Sequence, residues 1–155
     1  MAFYSRKSTR LPGFDYASYH YYFGTICTNE KECIFGEPEN LNQLGEIAKQ
    51  NILQIEKHFP DVIVDNFIVM PNHIHAIIII GRDPNKGELP SLSTVVGQYK
   101  SAVTKEIHKI QPNRKVWQRS FHDHIIRDQR GYEQIWEYIR YNAQKWDEDC
   151  FYKNQ

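Results

Sequence analysis

Apolar residues recur along this chain with two periods, and the switches between them lay out the elements. YHYYFGTICT, from Tyr19 to Thr28, is aromatic and β-branched and predicts a strand. After GEPEN, Asn40 is placed to cap a helix, with Gln43 three residues on. Leu44, Ile47, Ala48, Asn51, Ile52 and Ile55 keep helical spacing to about His58, and Pro60 ends it. DVIVDNFIVM and HIHAIIII are two strand-like runs joined by Pro71 and Asn72. Proline presets one turn torsion there and asparagine tolerates the left-handed region, so the pair reads as an antiparallel hairpin. Leu92, Val95, Val96, Tyr99, Ala102, Val103, Ile107 and Ile110 form one helical stripe, leaving Lys100, Ser101, Thr104, Lys105 and His108 on the open face. A basic loop with Pro112 leads to a further strand, VWQRSFHDHIIR. Ile135, Ile139, Ala143 and Trp146 then give a last helix its apolar stripe.

The order is strand, helix, strand, strand, helix, strand, helix. Its first six elements are the βαββαβ pattern of a ferredoxin-like antiparallel sheet with helices on one face, to which a C-terminal helix is added, an α+β fold. The 155 residues suit one domain, expected to span 1–155 with a basic arm at 1–15 and the last helix at 131–147. Hydrophobic residues at 41% and charged residues at 25% fit a soluble globular chain without low-complexity tracts or repeats. The opening MAFYSRKSTR lacks the apolar core of a signal peptide, and the longest aliphatic run, Ile77 to Ile80, is far too short to span a bilayer. A cytoplasmic protein with no membrane partner is expected. Cys27, Cys33 and Cys150 are odd in number and show no CxxC spacing, which supports neither a disulfide framework nor a thiolate zinc site.

Net charge is zero, against an indiscriminate polyanion binder, but the charges are unevenly spread. Between Gly97 and Arg130 stand eight basic residues (Lys100, Lys105, Lys109, Arg114, Lys115, Arg119, Arg127 and Arg130) against three acids, Glu106, Asp123 and Asp128. Arg6, Lys7 and Arg10 make the start basic, while acids gather around Glu30 to Glu46. One pole of the molecule is thereby suited to phosphate.

The chemistry centres on His73 and His75. Residues two apart in a strand point the same way, so both rings share a face and can converge on one ion. The run that follows is apolar on both faces, hence a covered central strand, and two polar rings at its entrance need compensation that a metal or a phosphate supplies. Imidazole suits several divalent transition metals better than magnesium, so the pair alone does not name the ion. His122 and His124 repeat the spacing and form a rival pair, with Asp123 between them pointing to the other face. Tyr138 and Asn142 stand four apart on the last helix, one above the other, so that a carboxamide oxygen could join two histidines while a phenol lies within reach. With 10 tyrosines in the chain, this spacing does not single out Tyr138.

Taken in order, RLPGFDYASYHYYFGTICT, VMPNHIHAIIII, YKSAVTK, WQRSFHDHIIRD and EYIRYNAQKW resemble the HUH single-tyrosine transposases, in particular the REP-associated tyrosine transposases, over about Arg6 to Trp146. The resemblance implies that His73 and His75 bind a divalent metal, magnesium or manganese, with Ile74 as the hydrophobic middle residue. It implies Tyr138 as the nucleophile and Asn142 as a further metal ligand, although many relatives carry proline where this chain has Ala143. The activity implied is cleavage and rejoining of single-stranded DNA through a 5′-phosphotyrosine, at hairpin or palindromic repeat sequences. Arg6, Arg10, Lys100, Lys105, Arg119 and Arg127 are the candidate DNA contacts. Family members resemble dimers or monomers, leaving both open. Two other readings stand beside this one: a ferredoxin-like module that binds nucleic acid without cutting it, and a metal-dependent hydrolase built on either histidine pair.

Overall fold

The computed structural model describes residues 3–5 as backbone, 19–81 and 89–142. Arg6, Arg10, Ala143, Trp146 and Cys150 lie outside the described residues. The strands are β1 (Phe3–Ser5), β2 (Tyr19–Cys27), β3 (Gly36–Glu37), β4 (Asn40–Leu41), β5 (Val62–Met70), β6 (His73–Gly81) and β7 (His122–Ile126). The helices are α1 (Gln43–His58), α2 (Leu92–His108) and α3 (Gln129–Asn142).

The main sheet has the order β1-β5-β6-β2-β7 with every neighbouring pair antiparallel. Its last four strands, with α1 joining β2 to β5 and α2 joining β6 to β7, are the ferredoxin-like βαββαβ arrangement that the sequence pattern predicts. β1 adds an edge strand within the stretch read as a basic arm. Three residues, FYS, carry too little pattern to announce it.

The sheet is covered on both sides, and residue parity decides which side each residue meets. Ile74, Ala76, Ile78 and Ile80 of β6 join the core beneath α1 and α2, with Ala48, Ile52, Val96, Tyr99 and Val103. Ile77 and Ile79 face the other way and pack with Tyr132, Trp136 and Ile139 of α3. The added helix therefore lies on the sheet face opposite the other two. β5 serves both cores through a bulge between Val64 and Asn66. Val62 and Val64 reach the α1/α2 core before it, and Phe67 and Val69 reach that same core after it. One extra residue, Asp65, makes even and odd positions exchange faces. Its carboxylate accepts a hydrogen bond from the buried Tyr132 hydroxyl.

Three boundaries differ from the sequence pattern. The cap of α1 is Asn42, whose Oδ1 accepts from the Gly45 N–H at 2.9 Å, whereas Asn40 belongs to the β3–β4 ribbon. α2 ends at His108, which leaves Ile110 exposed. β7 begins only at His122, because the preceding segment follows a bridge between Trp117 and Thr28 and then a left-handed residue, Ser120 at φ 71°.

α1 approaches the Phe35 carbonyl so closely that a β-carbon on Gly45 would lie 2.2 Å from that oxygen. Gly45→Ala must push the helix from its cap. The expected loss of stability is about 1–3 kcal/mol, the scale of overpacking, read as a lower urea midpoint with an unchanged slope.

Candidate active site

His73 and His75 occupy the start of β6, next to a turn held from outside the hairpin. The neighbouring loop donates the Ile34 and Phe35 N–H groups to the Pro71 carbonyl at 3.0 and 3.2 Å. It also donates the Thr28 N–H to the Asn72 carbonyl at 3.0 Å. Glu30 and Lys31 in this loop take left-handed φ values of 54° and 55°, a conformation that costs side-chain-bearing residues on the order of 1 kcal/mol or more each. Asn72 is not among the positive-φ residues, contrary to the expectation for the turn. Its worth lies in its side chain, which donates to the Lys31 carbonyl at 3.1 Å and lies 2.7 Å from His73 Nδ1.

Both imidazoles are buried, at 0% and 1% exposure, on the sheet face that α3 covers. His75 Nδ1 lies 3.0 Å from the Thr25 hydroxyl across the β2–β6 pairing. With each Nδ1 partnered, the two Nε2 atoms turn toward each other, 3.1 Å apart. That spacing fits two ligands each ~2.1 Å from one ion and subtending roughly a right angle. Among the described residues no third His, Cys, Asp or Glu joins them. Among the described residues, a further ligand would come from a carboxamide, hydroxyl or backbone carbonyl oxygen.

α3 brings the tyrosine to this point. Its buried stripe of Tyr132, Trp136 and Ile139 sits on the sheet, which sets Tyr138 at the stripe's margin, 41% exposed. The Tyr138 hydroxyl is 3.5 Å from His75 Nε2, and the rings are 5.3 Å apart. Phe23 of β2 meets both, with ring centroids 5.2 Å from His75 and 6.0 Å, edge to face, from Tyr138. One turn beyond Tyr138, Asn142 is buried, and its Oδ1 has no hydrogen-bond partner among the described residues. An orphaned carboxamide oxygen is costly unless something binds it. Two imidazoles with converging nitrogens and this acceptor suit a divalent cation.

The other candidates fall elsewhere. His122 and His124 are exposed on the edge strand, opposite Thr25 and Phe23 and on the same face as the buried pair. Lys100 Nζ donates to the Gln118 carbonyl at 2.9 Å and to the Ser120 carbonyl, holding the turn before β7. Burial lowers its pKa, and the neighbouring Cys27 acts in the opposite sense. Lys105 is exposed on α2, behind the sheet from the histidines, and Arg119 and Arg127 are exposed on either side of β7. Thr25, Phe23 and Asn72 escape sequence reasoning as members of the site. Only the strand register, which pairs Thr25 with His75, could have pointed to the first.

A ferredoxin-like sheet with an added helix on its other face is here the framework of a DNA transposase. Residues 16–142 match the family model for IS200-like transposases, and the chain belongs to this family. A Haemophilus influenzae protein of no stated function is 38% identical, over 95% of this chain and 93% of its own length. A second protein from that organism, described as a REP-associated tyrosine transposase, is 25% identical over 80% of this chain and 70% of its own. Among solved structures, a REP-associated tyrosine transposase bound to a REP hairpin superposes with a TM-score of 0.57 at 17% identity, over 81% of this chain and 67% of that one. A Deinococcus radiodurans protein described as a transposase gives 0.54 at 16% identity, over 84% and 95%. These two share the fold.

Alanine at His73 or His75 should abolish Mn²⁺ binding measured by calorimetry. Alanine at both His122 and His124 should leave it unchanged. Loss confined to the His122/His124 variant would move the metal to the edge strand.

Proposed function

We propose that the protein cleaves and rejoins single-stranded DNA, with Tyr138 as nucleophile and His73, His75 and Asn142 as ligands of a divalent ion, magnesium or manganese. The observation that carries this reading is the approach of the Tyr138 hydroxyl to within 3.5 Å of His75 Nε2, itself 3.1 Å from His73 Nε2. When bound, the ion would withdraw charge from a non-bridging oxygen of the scissile phosphate.

The chain's own residues supply the rest. Phe23 packs edge-on against the phenol and backs it toward the histidines. Tyr138 Oη forms a bond to phosphorus as the bond from phosphorus to the 3′-oxygen breaks. The phenol proton passes to solvent and the departing oxygen takes one up, leaving a 5′-phosphotyrosine and a free 3′-hydroxyl. Attack by such a hydroxyl on the phosphotyrosine restores a phosphodiester, so the bond energy is kept and no ATP is consumed.

The substrate proposed is a single strand bearing a hairpin or palindromic repeat, in line with the relative bound to a REP hairpin. Arg119 and Arg127 bracket the edge of the site face and are the foremost contacts for the DNA backbone. Lys105, Arg6 and Arg10 are further candidates, and Lys100 enters only if it releases its carbonyls. Work on DNA goes with a cytoplasmic location.

Incubation with hairpin-bearing single strands and Mn²⁺ should give a protein–DNA adduct on a denaturing gel, and Tyr138→Phe should give none while still binding the DNA. Cleavage without any adduct would instead identify a hydrolase. Binding without cleavage would identify a recognition module, and an undiminished adduct in Tyr138→Phe would place the nucleophile on another residue.

A further inference from the structure

Asn72 is fully buried, and its side chain is engaged at both ends. A carboxamide offers one acceptor oxygen and one donor nitrogen. The Lys31 carbonyl can only accept, so the end facing it at 3.1 Å is Nδ2. The other end, 2.7 Å from His73 Nδ1, is then the oxygen, and the His73 nitrogen that faces it must carry the proton. In a neutral imidazole this leaves Nε2 with a bare lone pair.

We propose that Asn72 is a positioning residue that holds His73 in its Nδ1–H tautomer, so that the Nε2 lone pair is always presented to the point shared with His75. The proposal rests on the reading of His73 and His75 as ligands of one cation. Its physical basis is the chain of contacts behind the ring. Lys31 aims its carbonyl from a left-handed conformation, at φ 55°. The Thr28 hydroxyl fixes that loop from within, lying 2.7 Å from the Glu32 carbonyl and 3.0 Å from the Asn72 carbonyl. The unusual backbone of Glu30 and Lys31 thereby serves the orientation of one amide.

His75 is held differently. Its Nδ1 faces the Thr25 hydroxyl at 3.0 Å, and a hydroxyl can donate or accept. Without an ion, His75 Nε2–H donates to His73 Nε2 across 3.1 Å, and Thr25 donates to His75 Nδ1. With an ion bound, the proton would sit on His75 Nδ1 and the Thr25 hydroxyl would accept it. One histidine is fixed and the other adjusts. Two amides would have frozen both rings, and two hydroxyls would have left both free to close the site with the wrong tautomer.

The test is ¹⁵N NMR of the imidazoles in the metal-free protein at about pH 8, where an ordinary histidine is neutral, alongside calorimetric Mn²⁺ titration. Wild type should show His73 protonated at Nδ1. Asn72→Asp keeps the oxygen facing His73 but gives up the donor to the Lys31 carbonyl, and should keep the Nδ1–H signature. Asn72→Leu should let His73 take the Nε2–H form and weaken Mn²⁺ binding by roughly 10–100-fold, the usual effect of removing a ligand's hydrogen-bond partner. An Nε2–H signature for His73 in wild type, or an Asn72→Leu protein that binds Mn²⁺ as wild type does, overturns the proposal. Should Asn72→Leu fail to fold, the wild-type tautomer still decides. Failure of the underlying cation reading has its own signature, a His73→Ala protein that binds Mn²⁺ normally.

Discussion

Two imidazole nitrogens held 3.1 Å apart inside a covered sheet set the terms for the rest of this protein. Buried polar rings are expensive unless each nitrogen is matched. The chain matches the outer nitrogens with Asn72 and Thr25 and leaves the inner ones facing each other. What secures that matching comes from other elements: the loop after β2 steadies Asn72, β2 itself carries Thr25, and α3 supplies the cover. The ferredoxin-like sheet is well suited to this, because the strand that carries the histidines is central and its neighbours on both sides are fixed by pairing.

Double coverage of the sheet then explains how a tyrosine reaches the pair. α1 and α2 occupy one face, and the histidines point to the other. Among the described elements, α3 is the helix that brings a tyrosine to them. α3 anchors through Tyr132, Trp136 and Ile139, and the anchoring stripe leaves Tyr138 at its margin, where a phenol can touch His75 and still meet solvent. Asn142, on the next turn, is turned inward. The chain's membership of the IS200-like transposase family stands beside this arrangement of a covered sheet and one tyrosine-bearing helix.

Much of this was legible in the sequence because it depends on periodicity. The hairpin, the shared face of His73 and His75 and the helical offset of Tyr138 and Asn142 all follow from spacing alone. The choice of Tyr138 among the tyrosines came from family resemblance, since an amphipathic stripe shows that a helix packs but not on which side of a sheet. Asn40 and Asn42 both precede α1, and what selects the second is the tight seat of Gly45 beneath Phe35, a tertiary contact. Lys100 falls on the open face of its helical wheel, yet a returning loop places two carbonyls over it. Asn72 was read for its backbone tolerance, whereas its side chain matters, because a turn's partners in space leave no trace in its own two residues. DVIVDNFIVM reads as one unbroken strand, and the phase change at Asp65 is invisible in it.

That phase change bears on how errors would spread through the hairpin. The short link of Pro71 and Asn72 pins Met70 opposite His73, so strand slippage cannot begin at the histidine end. Any mismatch between the two arms is absorbed at Asp65, near the middle of β5, where the carboxylate also holds the Tyr132 hydroxyl of α3. The molecule thus keeps the irregularity of its hairpin apart from the histidine pair along the same ribbon.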